Sequence, residues 1–229
     1  MIGNGYKRKV PEYCSVLNNI SSIMIKRIGV QPHFHEGHVI TLLTLLLKEE
    51  AIGRKKLSER LGIGETSVRS LVKRLLQAGF IKVDRVAGAI LTDKGRDLAE
   101  KLSELINVKR LGDDYLGFNW NNVVTVIIKD TPPESTNVMI IRDKAIALNA
   151  SAVLIIIIDN GVLIPGIAPS DKLYKEIVMG LKKTLGGLSR YKKATILYAA
   201  IREKEPLIVA GYRLGFRILR HYCLRREYC

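Results

Sequence analysis

The chain has 229 residues, of which 47% are hydrophobic, so its composition predicts a packed globular core and excludes a largely disordered protein. Its 37 lysines and arginines outnumber 22 aspartates and glutamates, and the resulting net charge of +15 favours a polyanionic partner such as nucleic acid. No apolar run reaches the roughly 18 residues of a membrane-spanning helix, so we expect no membrane partner.

The N-terminal stretch MIGNGYKRKVPEYC carries basic residues without an apolar segment behind them, unlike a signal peptide, so we expect a cytoplasmic protein. Cys14, Cys223 and Cys229 are odd in number and lack the spacing of a metal finger, which favours unpaired thiols. A disulfide that involves Cys223 or Cys229 stays open for a hyperthermophile, with which the Ile-, Lys- and Arg-rich composition is compatible.

The first half of the chain alternates helical patterns with one hairpin pattern. We predict, in chain order, a helix from Pro11 to Gly29, a helix from Glu36 to Glu49, a short helix in GRKKLSERLG that closes at Gly62, an amphipathic helix over residues 65–78, two short strands over residues 80–91 around an Ala87-Gly88 turn, and a helix in TDKGRDLAEKLSELINVKRL capped by Thr92 or Asp93.

The composition shifts at GDDYLGFNWNN, so we place a domain boundary there and expect one domain over residues 1–111 and another over residues 112–229. Beyond the boundary the order β-α-β-β-α-β-α predicts a small α/β domain around a mixed sheet. Its elements are the strand NVVTVIIKD, a helix capped by Asn137, the hairpin SAVLIIIIDNGVLIPG, a helix begun by Ser170 or Asp171, the strand KATILYAA and a last helix with Pro206 in its first turn.

The segment LGIGETSVRSLVKRLLQAGF, from Leu61 to Phe80, predicts an amphipathic helix with one buried stripe. The stripe follows the spacing i, i+3, i+4, i+7, i+8 and consists of Val68, Leu71, Val72, Leu75 and Leu76. At 100° per residue the outward positions are Thr66, Ser70, Lys73 and Gln77, with Ser67 and Arg74 to one side and Arg69 near the boundary. Small polar residues followed by basic ones suit a helix that enters a DNA groove.

The flanks of this helix favour a winged helix-turn-helix over an ordinary surface helix. Gly62 suits the left-handed position that ends the preceding helix, and Gly64 is acceptable as the next N-cap. The hairpin from Phe80 to Leu91 would be the wing, with Arg85 near its tip. Residues 1–111 hold 20 basic and 11 acidic residues, a net charge of +9. Further candidate DNA contacts are Arg54, Lys55 and Lys56 to the backbone and Glu65 to cytosine.

The stretch GRKKLSERLGIGETSVRSLVKRLLQAGFIKV, followed by ILTDKGRDL, resembles the winged-helix domain of prokaryotic transcriptional regulators, including those of the multiple-antibiotic-resistance type. More narrowly, PHFHEGHVI, RVAGAILTDKG, RDKAIALNASAVLIIIIDNGVLIPG and AGYRLGFRIL resemble a group of archaeal two-domain proteins regarded as regulators. This resemblance covers most of residues 31–220. It implies DNA binding by residues 66–77 and the wing, dimerisation, and no catalytic residue. His35 stands where this group more often has a small hydroxyl residue.

The stretch HFHEGH brings together His33, His35, Glu36 and His38, yet its spacing matches neither HExxH nor a zinc finger. Because no distal cluster of ligands is evident in the sequence, we predict no metal site. No GxSxG motif or Cys/His pair is present, so we also predict no cofactor, no catalytic residue and no enzymatic activity.

The sequence therefore predicts a DNA-binding transcriptional regulator that reads duplex DNA with the helix over residues 65–78 and the wing over residues 80–91. Its C-terminal domain would bind a small-molecule effector or hold a homodimer together. Two alternatives stay open: an enzyme with a regulatory winged helix, and a winged helix that binds RNA or protein.

Overall fold

The computed structural model describes residues 11–25, 33–110, 116, 118–129, 137–188, 191–202 and 205–227. Eight helices lie within these ranges: α1 (Glu12–Met24), α2 (Glu36–Glu49), α3 (Arg54–Leu61), α4 (Glu65–Gln77), α5 (Asp93–Leu105), α6 (Val138–Ala147), α7 (Lys172–Leu185) and α8 (Leu207–Glu227). The strands are β1 (Ala51–Ile52), β2 (Ile81–Asp84), β3 (Gly88–Leu91), β4 (Ile106–Lys109), β5 (Val123–Lys129), β6 (Ala150–Asp159), β7 (Val162–Leu163) and β8 (Lys193–Ile201). No described helix is both long and apolar enough to cross a membrane.

The first sheet belongs to a unit built by the chain up to α5. Its strands lie in the order β1-β3-β2 and all pair antiparallel.

Helix α2 has the predicted bounds. The first helix does not: α1 ends at Met24, and Gly29, its predicted end, lies outside the described residues. Helix α5 is capped by the Thr92 side chain, which accepts a hydrogen bond from the backbone N–H of Gly95 at 3.1 Å.

Strand β4 replaces the last turn of the helix that the sequence predicts in TDKGRDLAEKLSELINVKRL. Helix α5 stops at Leu105, and residues 106–109 pair antiparallel with β5. The β-branched residues Ile106 and Val108 favour a strand, and pairing with β5 satisfies backbone groups that a helix would have bonded internally. The chain thus enters the second sheet before residue 112. The boundary after Leu111 stays a prediction, since residues 111–115 lie outside the described ranges.

The second sheet has the strand order β4-β5-β8-β6-β7, and every pair in it is antiparallel. The predicted element order of this half is confirmed, as are the Asn137 cap and the β6–β7 hairpin. The prediction of a mixed sheet is wrong. Strands β5 and β6 do run parallel across the α6 crossover, but β8 lies between them and pairs antiparallel with both, so the two never pair with each other.

Helix α8 packs between the second sheet and α2, and three glycines permit the close approach. A Cβ atom at Gly211 would lie 2.5 Å from Cγ1 of Val108, and one at Gly215 would lie 2.8 Å from Cγ2 of Ile106. On the opposite side, a Cβ atom at Gly37 would lie 2.3 Å from the Val209 carbonyl oxygen. One hydrophobic cluster therefore runs from α1 and α2 through α8 to the second sheet.

A disulfide joins Cys14 on α1 to Cys223 on α8, and both residues are buried. The expectation of unpaired thiols is therefore wrong for these two cysteines. Spacing alone could not reveal the pair, because 209 residues separate them and only the packing of α1 against α8 brings them together.

Candidate nucleic-acid interface

Helix α4 presents its polar residues to solvent as the helical spacing predicts. The exposed residues are Glu65, Thr66, Arg69, Ser70, Lys73 and Gln77, while Ser67 is half-buried. Val68, Leu71, Val72 and Leu75 are buried against the core. Leu76, which the sequence assigns to the buried stripe, is 47% exposed, because it lies at the edge of that stripe and faces the neighbouring hairpin.

The turn between α3 and α4 is fixed by its glycines and by one serine. Gly62 has a φ of +67°, the left-handed conformation that the sequence predicts for it. The Ser58 hydroxyl donates a hydrogen bond to the Ile63 carbonyl at 2.6 Å. A Cβ atom at Gly62 would lie 2.5 Å from Cδ of Pro206, so the start of α8 packs directly on this turn.

The turn of the β2–β3 hairpin is held by Asp84, which pairs with Gly88 across the two strands. Its carboxylate accepts hydrogen bonds from the backbone N–H groups of Ala87 and Val86, both at 2.8 Å, and these bonds lower the pKa of Asp84. The side chain of Val86 at the tip is 96% exposed. Backbone hydrogen bonds to Asp84 therefore fix the turn of the hairpin, which carries Arg85 and an apolar tip.

A groove of about 630 Å³ separates α4 from this hairpin. We call it the cationic groove after the four cations that line it, namely Arg54, Arg69, Lys73 and Arg85. Apolar side chains, including those of Leu76, Val83 and Val86, complete its walls. The one carboxylate in its lining, that of Asp84, accepts backbone hydrogen bonds within the hairpin turn. Like charges along a cleft with low-dielectric walls concentrate the electrostatic potential and attract polyanions.

The other predicted contacts lie outside the groove lining, and all of them except Ser67 and Arg74 are exposed. Lys55 is exposed on the first turn of α3. Lys56 forms an ion pair with Glu49, as does Arg60. Hydrogen bonding and the charge of Lys56 lower the pKa of Glu49. Exposed ion pairs of this kind contribute little to stability, so a DNA phosphate could replace Glu49 as the partner of Lys56.

Arg74 is predicted as a DNA contact, but the structure does not bring it to the cationic groove. Its guanidinium donates hydrogen bonds to the carbonyl oxygens of Ile23 at 2.9 Å and Ile25 at 3.3 Å, at the end of α1. It also lies 5.3 Å from the ring centroid of Phe34. Helical spacing could not show this inward position, because α1 covers that side of α4 only in the folded protein.

We expect Arg74→Ala to destabilise the protein by about 1–3 kcal/mol, because it removes two charge-assisted hydrogen bonds and a cation–π contact. Arg74→Ala should bind DNA nearly as tightly as the parent protein does. Arg69→Ala should instead keep its stability and lose affinity for DNA. Denaturant unfolding and fluorescence anisotropy with a labelled duplex measure the two effects. If Arg74→Ala has unchanged stability and weakened DNA binding, the inward assignment is wrong and Arg74 contacts DNA.

A second polar cluster joins His35 and His38 to Glu205, which sequence reasoning did not connect with the two histidines. His35 caps α2: its Nδ1 accepts from the Gly37 N–H at 3.2 Å, and the His35 N–H donates to Nδ1 of His38 at 3.2 Å. Nε2 of His35 lies 2.7 Å from Oε2 of Glu205, which directly precedes Pro206. Burial, more than any neighbouring charge, lowers the pKa of His38 to about 4. Only the fold brings Glu205 to α2, across 170 positions of sequence.

Part of the sequence and the fold as a whole are each similar to a known protein or family. The family model described as "PH0730-like, N-terminal domain" matches residues 36–97, from the start of α2 into α5. Hypothetical protein PH0730 from Pyrococcus horikoshii OT3 has a similar solved structure, with a TM-score of 0.58, 20% sequence identity, and coverage of 86% of this chain and 96% of that chain. Both comparisons point to one archaeal protein. At this identity the likeness shows the fold alone. No curated protein matches the chain.

Proposed function

We propose that this protein is a transcriptional regulator that binds duplex DNA through its first unit. The observation that carries the proposal is the cationic groove, where four cations from three elements converge beside the exposed face of α4. The order α2-β1-α3-α4-β2-β3-α5, with the sheet order β1-β3-β2, supports the proposal that this unit is a winged helix-turn-helix. In this interpretation α4 is the recognition helix and the β2–β3 hairpin is the wing.

Each part of the proposed interface, formed by the exposed face of α4 and the cationic groove, has a distinct role in the complex. Thr66 and Ser70 are small polar residues near the start of α4, which lets the helix approach base edges closely. Glu65 can accept a hydrogen bond from the N4 amino group of a cytosine. Arg69 and Lys73 face the same groove further along the helix and suit phosphate or guanine contacts. Arg85 and the exposed Val86 suit the neighbouring minor groove.

The second sheet with its helices is proposed to serve regulation, either by binding a small-molecule effector or by holding a homodimer together. A depression of about 610 Å³ at the β6–β7 turn, lined by residues that include Tyr191, Lys192 and Lys193, supports an anionic effector. A homodimer would present two recognition helices to two half-sites of an operator, which is how most helix-turn-helix proteins reach useful specificity.

Binding to random-sequence duplex DNA, followed by selection of bound sequences, tests the function directly. If the four cations of the groove all contact phosphates, log K should fall against log salt with a slope of about −3.6 per chain. A structured RNA of equal length and charge is the competitor. A chain that binds the RNA as tightly as any selected duplex, or binds neither, contradicts the proposal.

A further inference from the structure

Three buried polar atoms without a hydrogen-bond partner converge where α2 meets the start of α8. They are Nε2 of His38, Oε1 of Glu205 and Nε of Arg213. His38 is only 3% exposed, so solvent at the surface does not satisfy its ring nitrogen. Buried polar atoms in folded proteins are almost always satisfied, and a cluster of exceptions indicates a bound water molecule or ion.

The ligand chemistry at this point is that of a metal site. His35 and His38 are three positions apart on one helical turn, and their ring centroids are 4.1 Å apart. Oε2 of Glu205 lies 2.7 Å from Nε2 of His35 and 3.8 Å from Nε2 of His38. One ligand atom from each residue lies within 4.8 Å of the others, so a single ion can reach all three after small adjustments.

We propose that His35, His38 and Glu205 bind a divalent transition-metal ion, with zinc as the best match. Two imidazoles and one carboxylate form a recognised zinc ligand set, and a water molecule would complete the tetrahedron. The proposal reverses the expectation that HFHEGH binds no metal. That expectation depended on the lack of a distal ligand, and Glu205 is one.

Metal binding requires a defined rearrangement of protons. In the present arrangement Nδ1 of each histidine accepts a backbone N–H, so the proton of each neutral ring resides on Nε2. The ion would bind both Nε2 atoms, and each ring proton would move to Nδ1. Each new Nδ1–H would face the backbone N–H that the nitrogen now accepts from, so both hydrogen bonds, which are long at 3.2 Å, are lost and each ring must turn away from that donor. Two metal–nitrogen bonds are gained in exchange.

Arg213 has the position of an outer-sphere partner. Its Nη1 lies 3.9 Å from Oε1 of Glu205, the carboxylate oxygen that faces away from the shorter histidine contact. At that distance the two groups form no hydrogen bond, but the positive charge of Arg213 attracts Oε1 and leaves Oε2 for the ion. Groups that position a ligand in this way commonly contribute 10- to 100-fold to metal affinity.

The proposed ion site is linked to the turn that precedes α4. Pro206 follows Glu205 directly and packs on Gly62, in the turn that leads into α4. An ion that draws Glu205 towards α2 would fix the start of α8 against this turn. The metal site stands whether or not the groove binds DNA, so the two proposals can fail separately.

Zinc uptake by the full-length protein tests the site. The protein is freed of tags, treated with EDTA, dialysed, and carries Cys229→Ser so that this thiol cannot bind the ion. Calorimetric titration with ZnCl₂ at pH 7.5 should show one equivalent per chain. X-ray absorption of the zinc complex should show two imidazole ligands. Absence of binding at 1:1 protein and zinc, on the order of 0.1 mM each, would overturn the proposal and leave a water molecule as the occupant.

Matched variants locate the bound ion. His38→Gln and Glu205→Gln each remove one ligand and should weaken zinc binding by more than about 100-fold, since even outer-sphere losses reach that range. His33→Gln removes the exposed histidine outside the cluster and should bind as the parent protein does. An equal loss in His33→Gln, or no loss in Glu205→Gln, would overturn the assignment. If His38→Gln fails to fold, the X-ray absorption spectrum of the parent protein tests the assignment. Two imidazole ligands support it, and fewer overturn it.

Discussion

Replacing Arg69 and Lys73 together with alanine should weaken binding to duplex DNA by about 30- to 300-fold. Both side chains line the cationic groove, and each lost phosphate or base contact is worth about 1 kcal/mol or more. Removal of two phosphate contacts should also reduce the magnitude of the salt slope by about 1.8. Fluorescence anisotropy with a selected duplex over a salt series measures both quantities.

The matched control is Lys175→Ala/Lys182→Ala, which removes the same charge from exposed positions on α7. If the long-range field of the protein dominates binding, the two double variants will lose affinity equally. If the groove is the interface, the α7 variant should retain nearly all of the affinity and the full salt slope. Equal losses would contradict the assignment of the groove while leaving nucleic-acid binding itself intact.

Loss of the Cys14–Cys223 disulfide should lower the free energy of unfolding by about 2–5 kcal/mol. The bond closes a loop with a sequence separation of 209, and in the chain-entropy description long loops give the largest effect on the unfolded state. Guanidinium unfolding of the oxidised protein, the reduced protein and Cys14→Ala/Cys223→Ala measures the loss. The midpoint should fall in both the reduced protein and the variant.

Two controls make this result specific to the disulfide. Cys229→Ser leaves the bond intact and should unfold like the parent protein. Reductant should have no further effect on Cys14→Ala/Cys223→Ala. Titration of three free thiols in the untreated, denatured protein would contradict the pairing, as would identical unfolding of the oxidised and reduced forms.

Elements that depend on local chemistry were predictable from the sequence. Helix α2 has the predicted bounds, because an acidic first turn and a long apolar run define it. Gly62 takes the predicted left-handed conformation, and the exposed positions of α4 follow from helical geometry. His35 caps α2 although the resemblance favours a hydroxyl residue there, since an imidazole nitrogen accepts a backbone N–H as well.

Features that depend on distant packing were not predictable. Helical spacing places Arg74 to one side of the outward face of α4, but carbonyl groups at the end of α1 hold its guanidinium inward. Strand β4 forms because β5 offers a partner, which overrides the helical pattern of residues 106–109. Glu205 is unremarkable until the fold places it beside two histidines. Each of these cases involves a partner that lies far away in sequence, which periodicity does not detect.

The position of α8 has a consequence for how a signal could travel through this molecule. One side of the helix packs on the second sheet and the other on α2, with glycines at both contacts. Close-packed interiors transmit displacement and have little room to absorb it. A shift of the sheet by a bound ligand would therefore move α2 directly, without a hinge or a flexible tether. We therefore expect a displacement of the second sheet to reach α2 through α8.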